Sequence, residues 1–237
     1  MHHKRFSFLV LEEHPYGREM LRILLDNDLF PDQIIEEISS IAEIERDKFA
    51  QRIDGQPMPP TISQQLVGTG IPVYYVQNHN DPECKRLLIE HASDLTVLGG
   101  TRIIKPEILE TAHLGTINAH PGLLPWLRGS ASVGWALYKD MPIGSTVHFI
   151  DPGIDTGDII KRQELAVVRG DTYESINARI ATLSGELMGY AIKCIRSGYC
   201  PRIPQEQNLG ETYRVIPDEL LEIGKSRLRE GTYSHFV

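Results

Sequence analysis

The sequence reads as an α/β chain, a mostly parallel sheet with helices on both faces, and three observations lead there. Short apolar runs of strand length alternate along the first half with amphipathic stretches of helix length. That alternation implies βαβ units, whose crossovers cover both faces of a parallel sheet. The length, 237 residues with 41% hydrophobic and 24% charged side chains, suits one folded core with an appendage.

In order, Phe6-Ser7-Phe8-Leu9-Val10-Leu11 is the first strand, and a helix follows whose apolar face holds Met20, Leu21, Leu24 and Leu25. Ile34-Ile35 lies in a second strand. Ile41 to Ile53 then reads as a charged amphipathic helix with Ile41, Ile44, Phe49 and Ile53 in rough helical register. Pro57, Pro59 and Pro60 mark a surface loop. Val73-Tyr74-Tyr75-Val76 is a strand, Asp81 to His91 a helix, and Leu95-Thr96-Val97-Leu98 a strand closed by Gly99-Gly100. In the second half, Thr116 to His120 is a strand stopped at Pro121-Gly122, and Ser132 to Tyr138 is helical. Gly144 to Ile150 and Asp158 to Val167 are strands, followed by a long helix from Thr172 to Arg196. That helix carries Ile176, Ile180, Leu183, Leu187 and Ile192 on one side. The division expected is a catalytic domain over 1–200 and a polar extension over 201–237 with a short helix near Glu219 to Leu228.

Composition excludes more than it identifies. The net charge of −8 argues against a protein that holds nucleic acid by neutralising phosphates. Cys84, Cys194 and Cys200 are widely spaced, which fits a reducing compartment and offers no thiolate zinc site. A signal peptide is not expected before the first strand, and the charge-free stretch from Gly55 to Asn80 is too rich in proline and glutamine to span a membrane. The expectation is a cytoplasmic protein without membrane contact.

Parallel sheets place their chemistry at the carboxyl ends of the strands. After the first strand stands Glu12-Glu13-His14-Pro15-Tyr16-Gly17, where two carboxylates would repel a phosphate, so a dinucleotide fold of the oxidoreductase kind is disfavoured. Asn118 and His120 are two apart on a strand and share a face. Asp155 lies in a turn between Gly153 and Gly157. An amide donor, an imidazole and a carboxylate suit attack on a carbonyl. With no Ser or Cys in an obvious elbow, direct transfer is more natural than a covalent step. On spacing alone a purely structural role stays open, because aspartates in glycine turns commonly bond their own backbone.

The motifs carry more. Asn118-Ala119-His120-Pro121-Gly122-Leu123-Leu124-Pro125, then Arg128-Gly129, then Gly144 to Phe149, then Ile154-Asp155-Thr156-Gly157-Asp158-Ile159-Ile160 closely resemble the folate-dependent formyltransferases. The resemblance is strong from about Leu95 to Val168 and holds by layout from Phe6 to Arg196. It implies a Rossmann-like formyltransferase fold with a short C-terminal extension. It also implies an enzyme that moves a formyl group from 10-formyltetrahydrofolate to an amine, with no metal. The family's catalytic Asn, His and Asp fall on Asn118, His120 and Asp155. The first two would steady the oxyanion, and Asp155 would serve as charge partner of the imidazole and acceptor of the amine's proton. The pterin pocket would be lined, largely through backbone, by Val97, Gly100, Thr101, Arg102 and Ile104, with the loop of Asp151 and Gly153 closing over its edge. His148 matches a histidine near that triad, and a plain strand histidine is an equal reading.

Departures from the family narrow the acceptor. The ribonucleotide transformylase has a Gly-Ser-rich loop after its first strand, where this chain has Glu12 and Glu13. The initiator-tRNA enzyme adds a C-terminal RNA-binding domain, for which the residues after the long helix are too few and the charge is wrong. The expected acceptor is therefore a small-molecule amine, an amino sugar among the choices. A formyltetrahydrofolate hydrolase and a tRNA enzyme without its RNA-binding domain stand as alternatives. The acidic strand end could pair with a cationic substrate or simply be solvated. The tail, with Tyr213, Leu220 and Leu221, leaves a homodimer open.

Overall fold

The computed structural model describes residues 4–206 and 208–237. Strands β1 (Phe6–Leu11), β2 (Gln33–Glu37), β3 (Val73–Val76), β4 (Leu95–Leu98) and β5 (Thr116–His120) run parallel, and β7 (Gly144–Phe149) and β8 (Ile159–Glu164) add antiparallel strands at one side. The order is β3-β2-β1-β4-β5-β7-β8, with β1 and β4 adjacent where the winding reverses. Every residue of β1 is buried, which is why that run carries no solvent-facing polar alternation.

The helices α1 (Pro15–Asp26) and α7 (Tyr173–Ser197) pack on one face over Phe8, Val10, Val97, Ala119 and Val147. The opposite face carries a second cluster around Leu9, Ile35, Leu98, Ile104 and Ile108, covered by α4 (Pro82–Glu90) and the short α5 (Pro106–Leu109). The α7 apolar stripe read from the sequence is buried at all five positions. Its ends have local causes: Thr172 and Ser175 form a reciprocal cap, and Gly198 closes it at φ 82°.

The helix α2 (Ser40–Arg52) forms where expected, but its register differs. Ile41 and Ile44 are 42% and 51% exposed, while Ala42 and Phe49 face the core. Phe49 packs edge-on to Tyr16 at 5.7 Å and beside His14 at 5.2 Å, and that aromatic contact turns the two isoleucines outward. The proline loop also contains a short helix, α3 (Ile62–Gln65), closed by a Thr61–Gln64 capping box.

The residues after 200 fold back onto the sheet. Ile203 bridges Ile159, and β9 (Glu211–Tyr213) pairs in parallel with β6 (Leu127–Gly129). Helix α8 (Asp218–Glu230) lies along α6 (Ser132–Lys139), with Gly224 against Leu137. No described helix is long and apolar enough to cross a membrane.

Candidate active site

A row of residues across the sheet builds the site. Ile35, Leu9, Leu98, Asn118 and His148 are successive register partners on β2, β1, β4, β5 and β7. Neighbours in such a row share a face, so the row passes from three apolar side chains to an amide and an imidazole at the β5–β7 seam. His120, two residues on, projects to the same side at the strand's carboxyl end.

The loop between β7 and β8 returns Asp155 to that end. Its Oδ2 lies 3.4 Å from His120 Nδ1, and its Oδ1 lies 3.6 Å from His148 Nε2. Oδ2 also accepts the backbone N–H of Gly129 at 2.8 Å. Gly129 has φ +86°, and a Cβ there would collide with the Tyr213 carbonyl, so the β6–β9 contact needs glycine at this position. Asn118, His120 and Asp155 are thus brought together, and His148 joins them.

Proton positions follow from the acceptors. His120 Nε2 is 2.7 Å from the Leu127 carbonyl, an acceptor only, which assigns a proton to Nε2. Ser132 Oγ stands 3.1 Å from the same nitrogen and is buried. Serine, histidine and aspartate are therefore linked as in a nucleophilic triad. The Nε2 proton already points at Leu127, however, so this nitrogen cannot activate Ser132 as a base. Nδ1 is the ring atom left to the site.

His148 is the reverse case. Its Nδ1 donates to the Phe149 carbonyl at 2.8 Å, leaving Nε2 as a bare acceptor 3.5 Å from the Asn118 amide nitrogen. Burial pushes its pKa down to about 4, outweighing the nearby Asp155 carboxylate. For Asp155, burial acts upward, but His120, His148 and the Gly129 N–H together hold its carboxyl below the usual range. The centre is a charged carboxylate and a neutral histidine around an amide and a second imidazole.

The segments expected to line a pterin pocket lie beside this centre. Ile150 packs against the apolar cluster that contains Leu98 and Ile104, so the Asp151–Asp155 loop and the segment after β4 border the same patch. Among the described residues, the backbone N–H groups of Thr101, Arg102 and Ile104 find no hydrogen-bond partner, which suits a pocket lined by main chain. Gly100 follows the strand with its carbonyl held by the Leu11 N–H. Two of these residues have side chains engaged elsewhere. Val97 is mid-strand with its side chain in the core, so it offers the site no group. The Arg102 guanidinium is bound through Nε and Nη2 on the buried carboxylate of Glu37, with Ser39 beside it, which leaves its backbone as the part offered to the pocket. Asp151 closes its own turn, accepting from Gly153 N–H at 3.1 Å and Thr156 Oγ1 at 2.6 Å; Gly153 is exposed at the loop tip.

The acidic end of β1 is also internally paired. Glu12 meets Arg46 at 3.4 Å, and Glu13 meets Arg18 at 3.4 Å while accepting the Ile62 N–H. Behind them Glu36 is buried, and that burial with Glu13 nearby raises its pKa to about 7. Trp135 is an anchor, donating to the Arg214 carbonyl and stacking on Tyr213 at 4.8 Å, and Trp126 lies under Arg162. Among the described residues no group of three or more His, Cys, Asp or Glu side chains is arranged to hold a metal ion.

Two buried neutral histidines give an expected acid response. His14, with its Nδ1 unpartnered against Phe49, is pushed down to about 4 by burial, as is His148. Between pH 6.5 and 4 the unfolded chain takes up protons there that the folded chain refuses, so stability falls as pH falls. Each histidine contributes up to about 1.4 kcal/mol per pH unit. Urea midpoints measured from pH 7 to 5 should drop, and His14→Leu should flatten the slope. An unchanged slope in that variant would refute the neutral burial of His14.

Comparison with known proteins gives a consistent result. A family model described as formyl transferase matches residues 36–192. The methionyl-tRNA formyltransferase of Pelotomaculum thermopropionicum is 33% identical over 150 residues, covering 62% of this chain and 48% of its own length. The chain thus spans about half the length of the curated relatives it matches. Among solved structures, glycinamide ribonucleotide transformylase 1 from Symbiobacterium toebii superposes with TM-score 0.64 at 20% identity, covering 86% of this chain and 96% of that one. The formyltransferase PseJ from Anoxybacillus kamchatkensis, solved with UDP-4,6-dideoxy-4-formamido-L-AltNAc and tetrahydrofolate, matches with TM-score 0.56 at 24% identity over 88% of this chain and 86% of that one. At these identities the two structures speak for the fold.

Proposed function

The chain belongs to the formyl transferase family, and from that premise we propose that it transfers a formyl group from 10-formyltetrahydrofolate to the amine of a small molecule. One observation carries the reading: Asn118, His120 and Asp155 converge at the carboxyl end of β5, with the aspartate 3.4 Å from the imidazole. The unpartnered N–H groups after β4 favour a planar, hydrogen-bonding donor molecule beside that centre.

When bound, 10-formyltetrahydrofolate supplies a formyl group activated at nitrogen. The Asn118 amide, oriented through its second N–H by His148, donates to the formyl oxygen as charge develops there. His120 presents Nδ1–H toward the same oxygen, its ring fixed by the Leu127 carbonyl. Asp155 stabilises the charged ring and takes the proton that the attacking amine sheds, directly or through one water. The amine nitrogen forms its bond to the formyl carbon as the bond to the folate nitrogen breaks, and the shed proton ends on that leaving nitrogen. Holding both reactants at one strand end supplies much of the remaining acceleration.

A small amine is favoured over a polyanionic acceptor by the net charge of −8. The second reading, the amine of methionyl-tRNA, draws on the curated relatives. Incubating the protein with 10-formyltetrahydrofolate and separate pools of amino-sugar nucleotides, small amines and charged initiator tRNA, with mass spectrometry for a gain of one formyl group, decides between them. Formate released at the same rate with no amine present would instead indicate a hydrolase, and the transfer reading would fall.

A further inference from the structure

We propose that Gln205, in the segment beyond α7, is a positioning residue that holds the Asp155 carboxylate in register with His120. The inference rests on the reading of Asp155 as the proton acceptor. It is carried by one carboxamide whose hydrogen-bonding positions are all used. Gln205 Nε2 donates to the carbonyl oxygens of Asp155 at 2.9 Å and Gly157 at 2.7 Å. Its Oε1 accepts from Arg128 Nε at 3.3 Å and Nη2 at 3.2 Å.

Those partners are the two sides of the site. Asp155 sits at φ 53°, in the left-handed region that a non-glycine residue keeps only when its surroundings hold it there. Gln205 grips the backbone of that strained residue and of Gly157, two residues on. Its other end is fixed by Arg128, which is buried and also donates to the Leu209 carbonyl at 3.0 Å. The residue after Arg128 is Gly129, whose N–H reaches Asp155 Oδ2 at 2.8 Å. The contacts form a closed ring: Asp155 backbone, Gln205, Arg128, Gly129 N–H, Asp155 carboxylate. Breaking it at Gln205 leaves the Gly129 N–H as the ring's remaining tie between the loop and β6, while deleting no group that touches the reactants.

Few other side chains meet these demands. Glutamate has no proton for the two carbonyls, asparagine is one methylene short, and leucine offers neither donor nor acceptor. Gln205 lies outside the 36–192 span that the family model matches, so this chain completes its site with a residue from the extension. The extension would thereby bear on turnover as well as on packing.

The test uses the full chain carrying Gln205→Leu, with Gln205→Asn as a polar variant should the leucine form prove unstable. Exchange of the Gly129 amide, followed by NMR without substrate, is expected to accelerate about tenfold or more as the bond to Asp155 loosens. kcat should fall about 10- to 100-fold, the effect of a misplaced reacting group, with KM for the folate little changed. The acid limb of the kcat profile should move to higher pH, because a carboxylate deprived of the Gly129 N–H and of His120 is easier to protonate. Unaltered Gly129 exchange in both variants would overturn the proposal, as would a loss of activity that appears wholly in KM. If the parent protein transfers no formyl group, the catalytic reading fails by itself, and Gly129 exchange still decides whether Gln205 holds the loop.

Discussion

Asp155→Asn is expected to lower kcat for formyl transfer about a thousandfold while leaving the fold intact. The substitution preserves shape and keeps an oxygen for the Gly129 N–H, which approaches the carboxylate at 2.8 Å. It removes the charge facing His120 Nδ1 at 3.4 Å and the carboxylate assigned to take a proton from the attacking amine. General-base and charge-partner roles are commonly worth 10²- to 10⁴-fold, roughly, and here one atom pair serves both. His120→Ala should cost as much, and Asn118→Ala about 10²- to 10³-fold as a lost oxyanion donor. The three losses should combine far below their product, since the groups act as a unit. Circular dichroism and the urea midpoint check the fold, and steady-state turnover checks the effect. Activity within tenfold of the parent for Asp155→Asn would sink the mechanism.

How much of this was legible in the sequence depended on how local the cause was. The central strands could be read because burial on both faces leaves a run that is almost wholly apolar, as in β1, where Ser7 is the one polar residue. Asn118 and His120 could be paired from strand periodicity alone. Asp155 needed the family's motif, because a turn does not reveal where its tip lands. The register of α2 was misread for a related reason: Ile41 and Ile44 have the expected spacing, but Phe49 against Tyr16 and His14 decides which face turns inward. The partner of the Arg102 side chain, the buried carboxylate of Glu37, lies 65 residues earlier and left no mark in the local sequence. Gln205 had no signal at all. It sits in a polar, irregular stretch, and its importance arises from contacts to residues 48 to 77 positions away. Seams between distant segments are what periodicity cannot encode.

The second large effect expected is on stability, from Gly17→Val. Gly17 lies in the first turn of α1, where the helix meets the loop after β4. A Cβ added there would fall on the Gly99 carbonyl and on a methyl of Val10, and Gly99 in turn abuts the tip of the Phe8 ring. Phe8 is fully buried, so neither layer can retreat. An isopropyl group must therefore lift α1 from the sheet or displace the Gly99-Gly100 turn. Overpacking of this kind costs about 1–3 kcal/mol, occasionally more. Removing glycine from a helix returns only about 0.5–1 kcal/mol. With three added carbons against backbone the cost sits at the top of that range, so a net loss of about 2 kcal/mol is expected, about 4–8 °C in Tm at about 2–4 °C per kcal/mol for a chain of this size. Displacing the turn would also raise KM for the folate, because Gly100 and Thr101 follow directly. Ile44→Ser, at a side chain 51% exposed, should stay within about 0.5 kcal/mol of the parent. If Gly17→Val unfolds within 1 kcal/mol of the parent, by this same order-of-magnitude scale, α1 does not bear directly on the Gly99 turn.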